Sequence, residues 1–220
     1  MHVNMKKETK IKIIKNLIKL HIPFGRFSEE NLKWKLHKLQ LGYLASDAVF
    51  DRPKYYGWPH KIFIYENSRL AAGAKFIQSD KEAGKLIIKK NSEVAQDVTI
   101  ITNSHNSHPI VGQDHRVQAK NHEGDIDKDI IIEEDVWVGI NVTLMPGVHV
   151  GRGAIVGAGS FVVKAIPPYS ICVGFPAKFL KFKYTIDEIL EHEQKLYTPD
   201  ERMSKEFLIA LFDKYKKNGK

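Results

Sequence analysis

From Ile126 to Pro167 the chain repeats every six residues without a slip, and no other feature restricts its fold as much. Position one of each block is aliphatic: Ile126, Ile132, Val138, Leu144, Val150, Val156, Val162. Position five is small or β-branched: Ile130, Val136, Val142, Val148, Ala154, Ser160, Ile166. Position two is often glycine, as at Gly139, Gly151 and Gly157. Helices repeat near 3.6 residues and amphipathic strands near 2, so period six fits neither. It fits a parallel β-helix, in which each hexad forms one face of a triangular prism and about three hexads close a coil. Position one then fills the interior and position five the tighter interior site. Glycine at position two is expected to supply backbone angles that a Cβ would penalise.

The register continues upstream. Ile88, Val94 and Ile100 lie six apart, with Ser92, Val98 and Ser104 at position five. Weaker echoes run through Ile64, Leu70 and Phe76, with Ser68 and Ala74. Between His105 and Ile126 the phase breaks. A solenoid accepts such an insertion as a loop thrown out from a corner. That loop is 106–125.

The flanks read as helical. Residues 6–20 place Ile11, Ile14, Leu17 and Ile18 on one stripe among lysines, which suits a cap over the open coil end and is a candidate for peripheral membrane contact. A second helix is expected over 29–41 with Ser28 as its N-cap. Tyr55, Tyr56, Trp58 and Pro59 form an irregular entry to the first coil. After Pro176 the hexads stop. Helices follow over 186–196 and 201–217, separated by Pro199; the second carries Phe207, Leu208, Leu211, Phe212 and Tyr215. The division is a helical and irregular cap over 1–60, a β-helix domain over 61–181, and C-terminal helices over 182–220.

The net charge of +8 and the pI near 9.3 suit an anionic ligand, an anionic acceptor or a membrane surface. The lysines lie at both ends without a recognition motif, so nucleic acid is not an expected partner. No apolar run reaches the length of a membrane span, and no secretory signal is evident, so a cytoplasmic location is expected. The single cysteine, Cys172, excludes an internal disulfide and reads as a small buried hydrophobe.

Chemistry is expected at the broken corner. His105 and His108 lie in Thr102-Asn-Ser-His-Asn-Ser-His-Pro109, and His115 and His122 follow within the loop. An imidazole at a rigid coil edge beside a loop is placed to act as a general base near neutral pH.

These residues resemble a known family. The hexads, the Thr-Asn-Ser-His-Asn-Ser-His segment, Glu134-Asp-Val-Trp-Val-Gly139, Met145-Pro-Gly-Val148, Val156-Gly-Ala-Gly-Ser160, Ile166-Pro-Pro168 and Val173-Gly-Phe-Pro-Ala-Lys178 look like the hexapeptide-repeat O-acetyltransferases, among them the galactoside, maltose and serine acetyltransferases. The resemblance implies a mainly β fold, a left-handed parallel β-helix with an external loop and flanking helices. It further implies a homotrimer with active sites between prisms, and acetyl-CoA as co-substrate without a metal. It puts His105 on the catalytic base, Gly139, Ile140, Ala158, Lys164, Lys178 and Lys181 along the CoA groove, and His108, Arg116 and Trp137 on the acceptor side. The galactoside and maltose branch carries an asparagine ahead of the base where this chain has Lys75. The terminal helices look more like enzymes that acetylate capsule, lipopolysaccharide or exopolysaccharide sugars.

The leading expectation is O-acetylation of a surface-polysaccharide sugar or its precursor. An amino-sugar N-acetyltransferase would use the same base and groove. Four histidines between 105 and 122 also keep a γ-type carbonic anhydrase in view, with zinc held by three histidines. A non-enzymatic solenoid scaffold is a further class.

Overall fold

Hexad positions one and five point inward throughout, and that sets the architecture. In the computed structural model, which describes residues 6–19, 29–54, 57–78, 84–105, 110–121 and 126–217, the position-one residues from Ile132 to Val162 are at most 1 % exposed. The position-five residues from Ile130 to Ser160 are at most 2 % exposed. Each position-one residue ends or lies in a short strand, with the position-five residue at or just before its start, and successive strands enter three parallel sheets in rotation. The first sheet takes Tyr43–Leu44, Ile62–Ile64, Leu86–Ile88, Ile130–Ile132 and His149–Val150. The second takes Val49–Phe50, Arg69–Leu70, Glu93–Val94, Trp137–Val138 and Ile155–Val156, then the antiparallel hairpin Ser170–Gly174 and Ala177–Phe182. The third takes Lys75–Ile77, Thr99–Ile101, Thr143–Leu144 and Phe161–Val162. In the regular stretch Ile131 pairs with His149, Trp137 with Ile155 and Thr143 with Phe161, so 18 residues, three hexads, separate stacked partners. The upstream echoes belong to the same core: Ile64, Leu70, Phe76, Ile88, Val94 and Ile100 are all fully buried.

Three details depart from the sequence pattern. Ile126 is exposed and pairs antiparallel with Ser104, so the regular coil starts at Ile130. At the other end Ile166 bridges to Val150 and Ile171 pairs with Ile155, a spacing of 16. Pro167 and Pro168 have no N–H to give a ladder, and the coil passes them two residues short, so Ile166 occupies a position-one place. The glycines at position two do not serve unusual dihedrals. A Cβ on Gly139 would stand 2.6 Å from the Ala158 nitrogen, and one on Gly151 2.6 Å from the Pro168 nitrogen, so glycine is there to let the next coil approach.

The left-handed conformation belongs instead to position four, at the corners. Asn67, Asn91, Asp97, Asp135 and Asn141 have φ between 50° and 63°, and Gly73, Gly147, Gly153 and Gly159 share the place. Only Asn, Asp and Gly enter that region readily. Asn141→Val should therefore cost about 1–2 kcal/mol, whereas Asn141→Gly should be close to neutral; thermal unfolding of the two variants checks this.

The ends pack by their apolar stripes. Helix α2 (Glu29–Gln40) closes the first coil, with Leu32 and Leu41 buried and Trp34 against Phe50 at 5.1 Å. Helix α1 (Lys7–Lys19) packs on α2. Ser28, Tyr55 and Tyr56 lie outside the described residues. A single 3-10 turn, Pro59–Lys61, enters the coil. Helix α4 (Ile186–Leu196) begins in a capping box, Thr185 with Glu188. Helix α5 (Lys205–Lys217) starts four residues later than its stripe suggests. Glu201 turns back to accept from the Thr198 N–H and hydroxyl, and Ser204 accepts from the Phe207 N–H and begins the helix. Both helices pack on their own chain: Phe212 stacks on Phe182 of the hairpin at 3.7 Å, and Leu208 is buried against Tyr169 and Ile189.

Candidate active site

The third sheet hands the chain to the first sheet at one corner of the prism, and there the coil opens. After Ile101 the chain forms a clasp instead of a corner: Asn103–Ser104 pairs antiparallel with Ile126–Asp127. Asn103 is buried and its amide reaches the Asp127 carboxylate, while the Lys128 N–H donates to the Thr102 carbonyl at 3.0 Å. The break therefore begins and ends in fixed backbone. His105, the first residue past the clasp, is exposed at the loop mouth. The clasp lies directly outside the 106–125 loop read from the phase break. Within that loop the chain is not merely a polar tether. Helix α3 (His115–Asn121) is capped by Asp114, whose carboxylate accepts from the Val117 N–H at 3.0 Å, and Gln118 is buried. Gly112 has φ +87 and open space around it, as a pivot requires. Arg116 is exposed on α3. His108 and His122 lie outside the described residues.

The second sheet hands the chain to the third at another corner, where Gly139, Ile140 and Ala158 stack. The Gly139 N–H donates to Val156 at 2.9 Å and the Gly159 N–H to Ile140 at 2.8 Å. Gly139 is buried, and coil contact accounts for its identity; Ile140 and Ala158 form the accessible rim. Gly159 also opens outward, with φ +70 and nothing within 4 Å of a Cβ, and the sequence pattern alone gave it no role. The hairpin closes over this corner. The Gly174 N–H donates to Ser160 Oγ at 3.1 Å, and Phe175 at its tip stacks on Phe161 of the third sheet at 4.6 Å. Lys178 pairs with Val173 beside the tip, and Lys181 lies further back, opposite Ile171; both are exposed.

The fold thus gathers Ile140, Ala158 and Lys178 at one edge of the third sheet and puts His105 at the other. Lys164, also exposed, is on the His105 edge two strand spacings along, roughly 10 Å. Trp137 projects from the second sheet, half exposed. Trp137 leads directly into the rim, two residues before Gly139, whereas His105 lies at the opposite edge of the third sheet of the same chain. Among the described residues, no group of three His, Cys, Asp or Glu side chains could hold a metal ion. Cys172, on the first strand of the hairpin, is buried in the coil core, and burial pushes its thiol up from the usual range, in keeping with a packing role.

The bacterial transferase hexapeptide family (six repeats) matches residues 129–164, the stretch in which stacked partners are 18 apart. A probable macrolide acetyltransferase of Lysinibacillus sphaericus is 54% identical over 68 residues, 31% of this chain and 37% of that protein. A putative acetyltransferase of Saccharomyces cerevisiae is 28% identical over 181 residues, 81% of this chain and 82% of its own length. Among solved structures, a hexapeptide-repeat acetyltransferase of Vibrio cholerae complexed with acetyl-coenzyme A superposes with a TM-score of 0.57 at 21% identity, over 83% of this chain and 92% of that one. Residues 129–164 thus carry the bacterial transferase hexapeptide repeat, and the proteins that the chain is similar to are named acetyltransferases. The match to the Lysinibacillus protein spans little more than a third of that relative, whereas the yeast and Vibrio likenesses run through most of both chains.

Proposed function

We propose that this hexapeptide-repeat protein is an acetyl-CoA-dependent O-acetyltransferase acting on a sugar hydroxyl of a surface polysaccharide or of its precursor. The observation that carries the reading is the clasp: a rigid coil interrupted at one corner, with His105 at the mouth of the loop. The acceptor hydroxyl gives its proton to the His105 imidazole as its oxygen attacks the thioester carbonyl. The C–S bond then breaks, and the proton passes to the departing CoA thiolate. Ala158 and Ile140 would flank the pantetheine arm with Gly139 behind them, and Lys164, Lys178 and Lys181 would face phosphate charge. Arg116, His108 and Trp137 are the acceptor-side candidates.

The separation of His105 from the Gly139–Ala158 rim supports a homotrimer. A three-fold ring of parallel copies sets the His105 edge of one third sheet toward the groove of a neighbour. The coil is taken as left-handed, after the acetyltransferases whose fold it shares, and cap, coil and C-terminal helices are taken as one domain. No described helix is long and apolar enough to cross a membrane.

The test is acceptor-dependent release of free CoA. Sugars with free hydroxyls, amino sugars and a macrolide are offered in parallel, and the product is treated with hydroxylamine. The reading expects release with a sugar hydroxyl and a hydroxylamine-labile ester. A hydroxylamine-resistant amide would identify an amino-sugar N-acetyltransferase instead, and turnover with the macrolide alone would move the acceptor to antibiotics.

A further inference from the structure

We infer that the α1–α2 cap docks this protein on an anionic membrane surface. The charge of the chain is not spread over it. Residues 1–61 hold 13 Lys and Arg against 5 Asp and Glu, which is the whole net charge of +8; residues 62–220 hold 21 of each. The fold puts this excess at one end of the coil. Helix α2 covers the first turn through Trp34, with Leu41 just past its end in the coil core, and α1 lies on α2. Helix α1 keeps Ile11, Ile14 and Ile18 half-buried and exposes Lys7, Glu8, Thr9, Lys12, Lys15 and Asn16, so that its exposed lysines outnumber its one acid, with Ile13 the one exposed apolar residue described among them. Its apolar stripe is thus occupied, and what faces solvent is cationic and polar. Such a surface adsorbs to anionic headgroups electrostatically and does not insert.

The shape and the residue types select a lipid surface over a nucleic acid. The exposed face of α1 offers lysine point charges without arginine forks or aromatic rings, so it has nothing to pair with or stack on bases. It is also terminal to the coil. Parallel copies around a common axis would hold their caps in one plane, which multiplies contact with a flat surface and not with a thin polymer. The clasp that carries His105 follows the second of four stacked strands of the third sheet, roughly 10 Å along the coil from its first turn at the usual strand spacing, and the α2 and α1 layers add about 10 Å each. That height would suit a sugar carried on a lipid. The common plane of the caps and this last point rest on the acetyltransferase reading; the docking of the cap itself does not.

The experiment is co-sedimentation of the full chain with vesicles of phosphatidylcholine alone or of phosphatidylcholine with phosphatidylglycerol. Binding is expected only to the anionic vesicles, with release as salt is raised. Each surface lysine is worth about fivefold in partitioning, so the double variant Lys12→Gln/Lys15→Gln should bind about 25-fold less well with its thermal unfolding unchanged. Absence of binding, equal binding to both vesicle types, an undiminished double variant, or displacement by duplex DNA at concentrations too low to screen charge would each overturn the proposal. Vesicle binding is read without acetyl transfer, so its failure is distinguishable from failure of the acetyltransferase reading.

Discussion

Replacing His105 by alanine should lower turnover by roughly two to four orders of magnitude, the range over which a positioned general base contributes. The fold should not change. His105 is exposed, and the strand that delivers it is held by groups that the substitution leaves alone: Asn103 with Asp127, and Lys128 with Thr102. Affinity for CoA should also be preserved, because the imidazole acts on the acceptor proton and is not among the groups proposed to hold CoA. A fall in kcat with unchanged thermal unfolding and unchanged CoA binding is the signature of a group that acts on the reacting proton. His108→Ala, one helical turn's worth of sequence further into the loop, should cost far less. Near-normal turnover in His105→Ala would remove this residue from the mechanism and leave His108 and His115 as the candidates.

The coil itself was legible because its physical rule is local. The inward side chain at position one is apolar in every coil, so Ile64, Leu70 and Phe76 could be placed in the core although the intervening residues carry no repeat. The position of the loop was legible for the same reason, as a break in phase. What misled were residues whose constraint comes from another coil. Gly139 and Gly151 look like conformational glycines, yet it is the backbone of Ala158 and Pro168 that excludes their Cβ. The true left-handed positions were occupied by Asn, Asp and, after the two prolines, Tyr169 as well as Gly, a mixture that hides the signal unless position four is read as a column. Ile166 continued the six-residue count, but two prolines shortened that turn. The site was legible as a set of residues and not as an arrangement. The spacing of His105, Ala158 and Lys178 along the chain does not say that they flank opposite edges of one sheet, which is a property of closure into three faces.

The contact between the coil and its C-terminal helices was the least legible part, and removing it should have the largest effect on stability. The corner from the first sheet to the second stacks Glu134, Arg152 and Tyr169 from successive turns, far from the clasp. Helix α4 lays Glu193 on that column, only 1 % exposed, where it accepts from Arg152 Nη1 at 3.1 Å, from the Tyr169 hydroxyl at 2.6 Å and from the Met203 N–H at 3.2 Å. Arg152 also reaches Glu134 at 3.1 Å and lies over the Tyr197 ring. Replacing Glu193 by alanine leaves a buried guanidinium half-paired and a buried phenol without its acceptor. Breaking one partner of such a pair costs about 3–5 kcal/mol, on the order of 10 °C in Tm for a chain of this size. Tyr169→Phe removes one hydrogen bond to a charged acceptor and should cost about 1.5–3 kcal/mol. The double variant should fall short of the sum of the two, because both act on the same carboxylate. The column should also respond to acid. Burial works to raise the Glu134 carboxyl, but its backbone hydrogen bond and the charges of Lys89 and Arg152 outweigh that and hold it below the usual carboxylate range. A depressed folded value means that the contribution is complete above the unfolded value near 4.5 and is lost as pH falls through the folded one. Unfolding followed from pH 7 downward should show the wild type losing this stabilisation below about pH 4.5, while Glu134→Gln starts lower and falls less over the same window. Parallel pH curves for the two proteins would show that Glu134 does not contribute charge to the attachment of α4.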